Sequence, residues 1–135
     1  MVGLDTNVLV RYLAEDDAKQ AALATHLIDK QLSVTEPGFI SVVVLVELCW
    51  VLQALYAAQH AEIASTVADL LAAPRFRIEQ RDAVQAALRQ LEGTKNAKSG
   101  FADALIAQVS ASEGCTCTVT FDKGAARWAG MTLLA

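Results

Sequence analysis

Val2-Gly3-Leu4-Asp5-Thr6-Asn7-Val8-Leu9 is the stretch on which the fold turns. Val2 to Leu4 is a continuous apolar run, as in a strand buried on both faces. Asp5 stands where that strand stops. Ligands of open α/β sheets bind beyond the carboxyl ends of the strands. An acid there is a candidate site residue, and equally an ordinary turn former. Thr6 and Asn7 can cap the helix that Val8-Leu9-Val10-Arg11-Tyr12-Leu13 begins.

Working outward, strand and helix signals alternate. Asp17 reads as the N-cap of a helix over 18–30, with Leu23, Leu27 and Ile28 as its apolar stripe. Pro37-Gly38 marks a turn, Phe39-Ile40 a very short strand and Ser41 an N-cap. Val42 to Tyr56 opens with four valines in five residues, which favours a strand. Fifteen residues without a breaker are too long for one, so this is a helix, apolar nearly all round and therefore central. Its only acid is Glu47. Helices follow at 61–72, 82–92 and 101–112, the last with Asp103 in its first turn. Phe76 to Glu79 alternates like a strand, and residues 93–100 form a polar loop. Cys115 to Phe121 reads as a Thr- and Val-rich strand stopping at Asp122. A short helix and a strand over 131–134 close the chain. This alternation predicts an α/β fold: a three-layer sandwich with a central parallel sheet of about five strands flanked by helices. At 135 residues it is one domain, 1–135, large enough for a real core.

Composition narrows the function. Hydrophobic residues make up 54% and charged ones only 19%, below the usual quarter or so. Either most helices are buried or some apolar surface is kept for a partner. The net charge is −4, and without Asp5, Glu47, Asp103 and Asp122 acids and bases balance at eleven each. No basic tail advertises nucleic acid. Three cysteines and two isolated histidines, His26 and His60, give no zinc spacing. An odd cysteine count and no secretory signal suit a reducing cytoplasm. Phe39 to Ala58 is apolar enough to raise a membrane span, but Glu47 near its centre makes that costly. No membrane is expected.

Four acids thus stand in apolar frames. Asp5 and Asp122 end strands, Asp103 opens a helix and Glu47 interrupts the most apolar one. Each has a bland reading: a turn, a helix-dipole partner, an ion pair with Arg11 or Lys19. Together they suggest one site, with Asp5 and Asp122 at the same sheet edge and Glu47 turned toward them rather than to bulk solvent. Carboxylates gathered in one pocket repel, and a hard divalent cation, Mg²⁺ or Mn²⁺, removes that repulsion. Such an ion activates water and neutralises a phosphoryl group. No nucleophilic triad or phosphate-cradling glycine loop competes. A phosphoacceptor domain of receiver type is disfavoured, because Thr6 rather than a second acid follows Asp5.

The segments Val2-Gly3-Leu4-Asp5-Thr6-Asn7, Val44-Leu45-Val46-Glu47-Leu48, Phe101-Ala102-Asp103-Ala104-Leu105-Ile106 and Thr120-Phe121-Asp122 resemble the acidic motifs of PIN-domain ribonucleases in order, spacing and flanks. The likeness spans essentially the whole chain. Its length resembles the VapC-like toxins of toxin–antitoxin pairs. The resemblance implies Mg²⁺- or Mn²⁺-dependent cleavage of RNA. It also implies that Asp5, Glu47 and Asp103 hold the metal and that Asp122 is a fourth ligand or places the attacking water. Asn7 and Thr120 match polar positions beside the site. Lys95, Lys98 and Lys123 are candidates to grip the RNA backbone. A cognate antitoxin laid across the early helices and a homodimer are the expected protein partners. The alternative is a PIN-like module that binds an antitoxin without efficient catalysis.

Overall fold

The structure is a computed structural model, and it describes residues 1–92 and 100–134. Lys95, Lys98 and nearly all of the polar loop over 93–100 lie outside the described residues. The chain forms two compact units, Met1–Ala58 with Val67–Glu79, and Gln59–Thr66 with Gln80–Ala135.

The first unit holds β1 (Val2–Gly3), α1 (Thr6–Ala14), α2 (Ala18–His26), β2 (Gly38–Ile40), α3 (Val42–Tyr56) and β3 (Phe76–Ile78). The three strands make a parallel sheet in the order β1-β2-β3, with Val2 opposite Gly38 and Gly38 opposite Phe76. The middle strand begins on a glycine for a steric reason. A Cβ at Gly38 would stand 2.7 Å from Leu32 Cδ1 and 2.8 Å from Leu4 Cδ1. Leu9, Ile28, Ile40 and Leu45 are fully enclosed and make the centre of this unit's core.

The helix starts follow from short polar side chains. Ser41 accepts a hydrogen bond from Val44 N–H at 3.1 Å, and Asp17 accepts one from Gln20 N–H at 3.0 Å, as expected of N-caps. The start of α1 differs from expectation. Asp5, not Thr6 or Asn7, takes the N-cap position, and its carboxylate makes no capping bond. The stripe expected on α2 is also corrected. Leu23 is 66% exposed, whereas Ala21 and Ala24 are buried, as is Ile28 in the π-helical turn Leu27–Gln31 that continues α2. Small residues face inward here and let α1 and α2 approach closely.

α3 has the expected limits, but it is not enclosed all round. Leu45, Leu48, Cys49 and Leu52 are buried, while Val43, Trp50 and Leu55 are exposed. Apolarity on every side conceals which face is covered, and that is why the sequence reading placed the whole helix in the core.

The second unit holds α5 (Arg81–Leu91), α6 (Phe101–Ser112), β4 (Val119–Thr120), α7 (Lys123–Trp128) and β5 (Thr132–Leu133). The helix α4 (His60–Ala72) runs through segments of both units. α5 packs on α6 through small and branched side chains, Ala83, Val84 and Ala87 on one helix and Ala104 and Leu105 on the other, all buried. Phe101 is 1% exposed and anchors the start of α6. Gly114 ends that helix with φ +91°, a conformation that favours glycine.

The class is α/β, but the expected sheet of about five strands is corrected. Among the described residues, β4 and β5 form a separate two-stranded parallel sheet. The strand expected over 115–121 shrinks to Val119–Thr120. Thr- and Val-rich sequence makes a strand where one face is covered, and Cys115, Thr116 and Cys117 are exposed. Among the described residues no helix is long and apolar enough to cross a membrane.

The three cysteines are free thiols in different settings. Burial inside α3 pushes the Cys49 thiol up to about 12, whereas Cys115 and Cys117 are exposed. Thiolate is the reacting form. At pH 8, an alkylating reagent therefore labels two thiols per chain rapidly. Cys49 follows only when the chain opens, so adding denaturant makes all three react alike. Three fast thiols in the native protein, counted by mass spectrometry, would contradict the packing of α3.

Candidate functional site

Glu47 makes a contact with a residue far away in sequence, beside another acid of the proposed site. It lies in the second turn of α3, whose start is fixed twice over. Ser41 caps Val44 N–H, and the Glu79 carboxylate accepts from Val42 N–H at 2.9 Å. Glu79 immediately follows β3, just as Asp5 closely follows β1. With its helix so anchored, Glu47 receives a hydrogen bond on Oε1 from the Thr6 hydroxyl. Thr6 is only 3% exposed and is the one buried polar side chain among the described residues. Its neighbour in sequence is Asp5.

The expected burial of Glu47 is corrected: the residue is exposed. Its carboxylate is nevertheless tied by one oxygen to the start of α1. Asp5 is exposed as well, and as an N-cap it is unusual in making no side-chain cap. Asp17, Ser41 and Asp122 all spend an oxygen on their own helix. The first unit therefore presents two accessible carboxylates, Glu47 bonded to the Thr6 hydroxyl and Asp5 on the residue before Thr6. Such hard oxygen donors suit Mg²⁺ or Mn²⁺ rather than a soft ion.

Asn7 is exposed in the first turn of α1. It lines a cavity of about 320 Å³ with Val8, Arg11, Gln20, Leu23, Ala24 and Leu27. The Arg11 guanidinium donates to Gln20 Oε1 at 2.7 Å and to Asp16 Oδ1 at 2.7 Å. The Tyr56 hydroxyl also bonds Asp16. The bonds from Tyr56 and Arg11 hold the Asp16 carboxyl below its ordinary pKa, and the same bonds to Asp16 hold the Arg11 and Tyr56 groups above theirs. Arg11 is thus committed to Asp16 and Gln20, not to Glu47 as the bland reading had allowed.

In the second unit, Asp103 is half-buried in the first turn of α6. The start of this helix depends on Gly100. A Cβ there would stand 2.7 Å from Nδ1 of His60, so the imidazole occupies the space any other residue would need. His60 therefore has a packing role. Thr120 and Asp122 lie together at the end of β4. Asp122 N–H donates to Thr120 Oγ1 at 3.0 Å, and the Asp122 carboxylate accepts from Gly124 N–H at 2.8 Å to cap α7. Lys123 is exposed as the first residue of α7. Among the described residues of either unit, no three His, Cys, Asp or Glu side chains are grouped closely enough to hold a metal ion.

Two contributors escaped the sequence reading. Thr6 was read as a helix cap and instead orients Glu47. Glu79 was read as a strand residue and instead caps α3. The signal for Glu79 was present, since it is another acid where a strand ends.

The PIN domain family matches the chain from residue 2 to residue 131. This chain belongs to the PIN-domain family. A PIN domain is an α/β fold of nuclease type, which agrees with parallel strands and with carboxylates at their ends. Among curated proteins, none matches this PIN-domain chain.

Proposed function

We propose that this PIN-domain protein is a metal-dependent endoribonuclease, the toxin of a VapBC-like toxin–antitoxin pair. The hydrogen bond from Thr6 to Glu47 carries the reading, because it ties a carboxylate on α3 to the residue that follows Asp5. The bond also satisfies the buried Thr6 hydroxyl; it is not needed to start α3, which Ser41 and Glu79 already cap.

Under this proposal Asp5, Glu47 and Asp103 would hold the cation, and Asp122 would be a fourth ligand or would help to place the attacking water. A bound Mg²⁺ or Mn²⁺ supplies charge neutralisation at the phosphate and a more acidic water for in-line attack. The chain supplies position. Thr6 sets the Glu47 carboxylate, and the His60–Gly100 contact sets the start of α6 ahead of Asp103. Thr120 steadies the backbone at Asp122, and Asn7 orients a carboxylate or water. Lys95, Lys98 and Lys123 grip the RNA backbone.

The partners in this reading are an RNA substrate, a cognate antitoxin and a second copy of the chain, in the cytoplasm and away from membranes. The apolar cavity between α1 and α2, with exposed Leu23 on its wall, supports an antitoxin segment laid across the early helices.

The test is RNA cleavage by purified protein with Mn²⁺ and with excess chelator. Cleavage that appears with Mn²⁺, disappears with EDTA and returns on adding Mn²⁺ is expected. Absence of metal-dependent cleavage across structured and unstructured RNAs favours the binding-module alternative.

A further inference from the structure

Cys115-Thr116-Cys117 is a motif that the proposed nuclease site leaves unused. Residues two apart in extended chain stand on the same face, and here the chain also bends at Thr116, between them. Both thiols are free and exposed. Both residues line one cavity of about 210 Å³ within the second unit. The segment is held at either end. Gly114, at φ +91°, turns the chain out of α6, and Cys115 N–H donates to the Ser110 carbonyl at 3.1 Å. The Thr118 carbonyl accepts from Thr132 N–H at 2.8 Å, which ties the far end to β5. Among the described residues the cavity wall carries no charged side chain. It does carry two amides. Gln108 Nε2 donates to Gln90 Oε1 at 2.9 Å, and Gln90 Nε2 lies 2.6 Å from where a Cβ on Gly130 would stand.

We propose that Cys115 and Cys117 bind a soft monovalent cation, Cu⁺, as a pair of thiolates. Donor type and donor number together select this ion. Thiolate sulfur favours soft metals over the hard Mg²⁺ or Mn²⁺ of a carboxylate site. A structural Zn²⁺ takes four protein ligands. Among the described residues no three His, Cys, Asp or Glu side chains are grouped, and the sequence over 93–99 contains none of those residue types. A pair of sulfurs is enough for Cu⁺, which accepts two opposed ligands. Each thiol gives its proton to solvent as the metal binds. Bound copper with two thiolates carries one negative charge, and the amide N–H groups of the wall are suited to it. Because the segment is pinned before the metal arrives, little ordering is left to oppose binding. The site does not depend on the nuclease reading, since it shares no ligand with the four acids.

The test titrates the full chain anaerobically with Cu⁺ against the chelator bicinchoninate. The wild type is expected to hold a single ion per chain. Two thiolates on one chain act as a linked pair, which is worth about 10²–10⁴-fold in affinity. Cys115→Ser and Cys117→Ser should each lose that factor, and Cys49→Ala should lose none. Substitutions at exposed positions change stability little, so circular dichroism should show both serine variants folded. Bound Cu⁺ should also protect Cys115 and Cys117 from alkylation. Equal affinity in the wild type and either serine variant overturns the proposal. So does Zn²⁺ binding as tight as that of Cu⁺, which would require further ligands. If Cu⁺ binds only as the chain dimerises in analytical ultracentrifugation, the ligands come from two chains and the site as proposed fails. Oxidation of the pair to a disulfide, with no Cu⁺ taken up by the reduced protein, overturns it as well.

Discussion

Under the proposed function, Asp5→Asn is expected to reduce Mn²⁺-dependent RNA cleavage to about a thousandth of the wild-type rate while the chain stays folded. A cation polarising a phosphoryl oxygen is worth several kcal/mol, and each ~1.36 kcal/mol is a factor of ten in rate. Losing one anionic ligand is expected to forfeit most of that. The fold has little stake in the charge. Asp5 is exposed, and its carboxylate makes no cap bond. Asparagine serves equally well at an N-cap, so the change in stability should stay within about 0.5 kcal/mol. Asp103→Asn should lose cleavage to the same degree. Because Asp103 sits in the first turn of α6, it also gives up a dipole interaction of about 0.3–1 kcal/mol. Thermal unfolding beside initial rates separates the two effects. Near-wild-type cleavage by a clean preparation of either variant would remove that carboxylate from the mechanism.

The proposed site was legible in parts that sequence can encode locally. Ser41 and Gly114 are polar and flexible punctuation around apolar helices, and the limits of α3 and α6 followed from such marks. The motif acids could be picked out because a carboxylate in an apolar frame is conspicuous at any distance along the chain. Strand pairing was less legible. β1, β4 and β5 are two residues long, too short for alternation to register, and ladder partners lie far apart in sequence. Which face of α3 is covered was hidden by its own uniformity: Leu48 is buried and Trp50 is exposed, though both are apolar. The Thr6–Glu47 bond joins residues 41 positions apart. A threonine at a helix start has an adequate local explanation as a cap, and that explanation masked the longer-range one.

That masked contact yields the second large effect. Thr6→Val keeps the shape of the side chain and removes only the hydroxyl that donates to Glu47. Valine fills the same buried space, and the carboxylate it abandons is on an exposed residue where water can replace the donor. Stability should therefore fall by only about 1 kcal/mol, the net worth of an ordinary hydrogen bond. Function should suffer more. A group that orients a metal ligand is typically worth about 10–100-fold in metal affinity or activity. The Mn²⁺ concentration for half-maximal cleavage should rise by that factor, while saturating Mn²⁺ recovers much of the rate. Thr6→Ser restores the donor and should restore the metal requirement, although it leaves a small void in place of the methyl group. A purely structural role predicts the reverse order, with Val tolerated and Ser impaired. An unchanged Mn²⁺ requirement in Thr6→Val would mean that the bond merely packs α1 against α3.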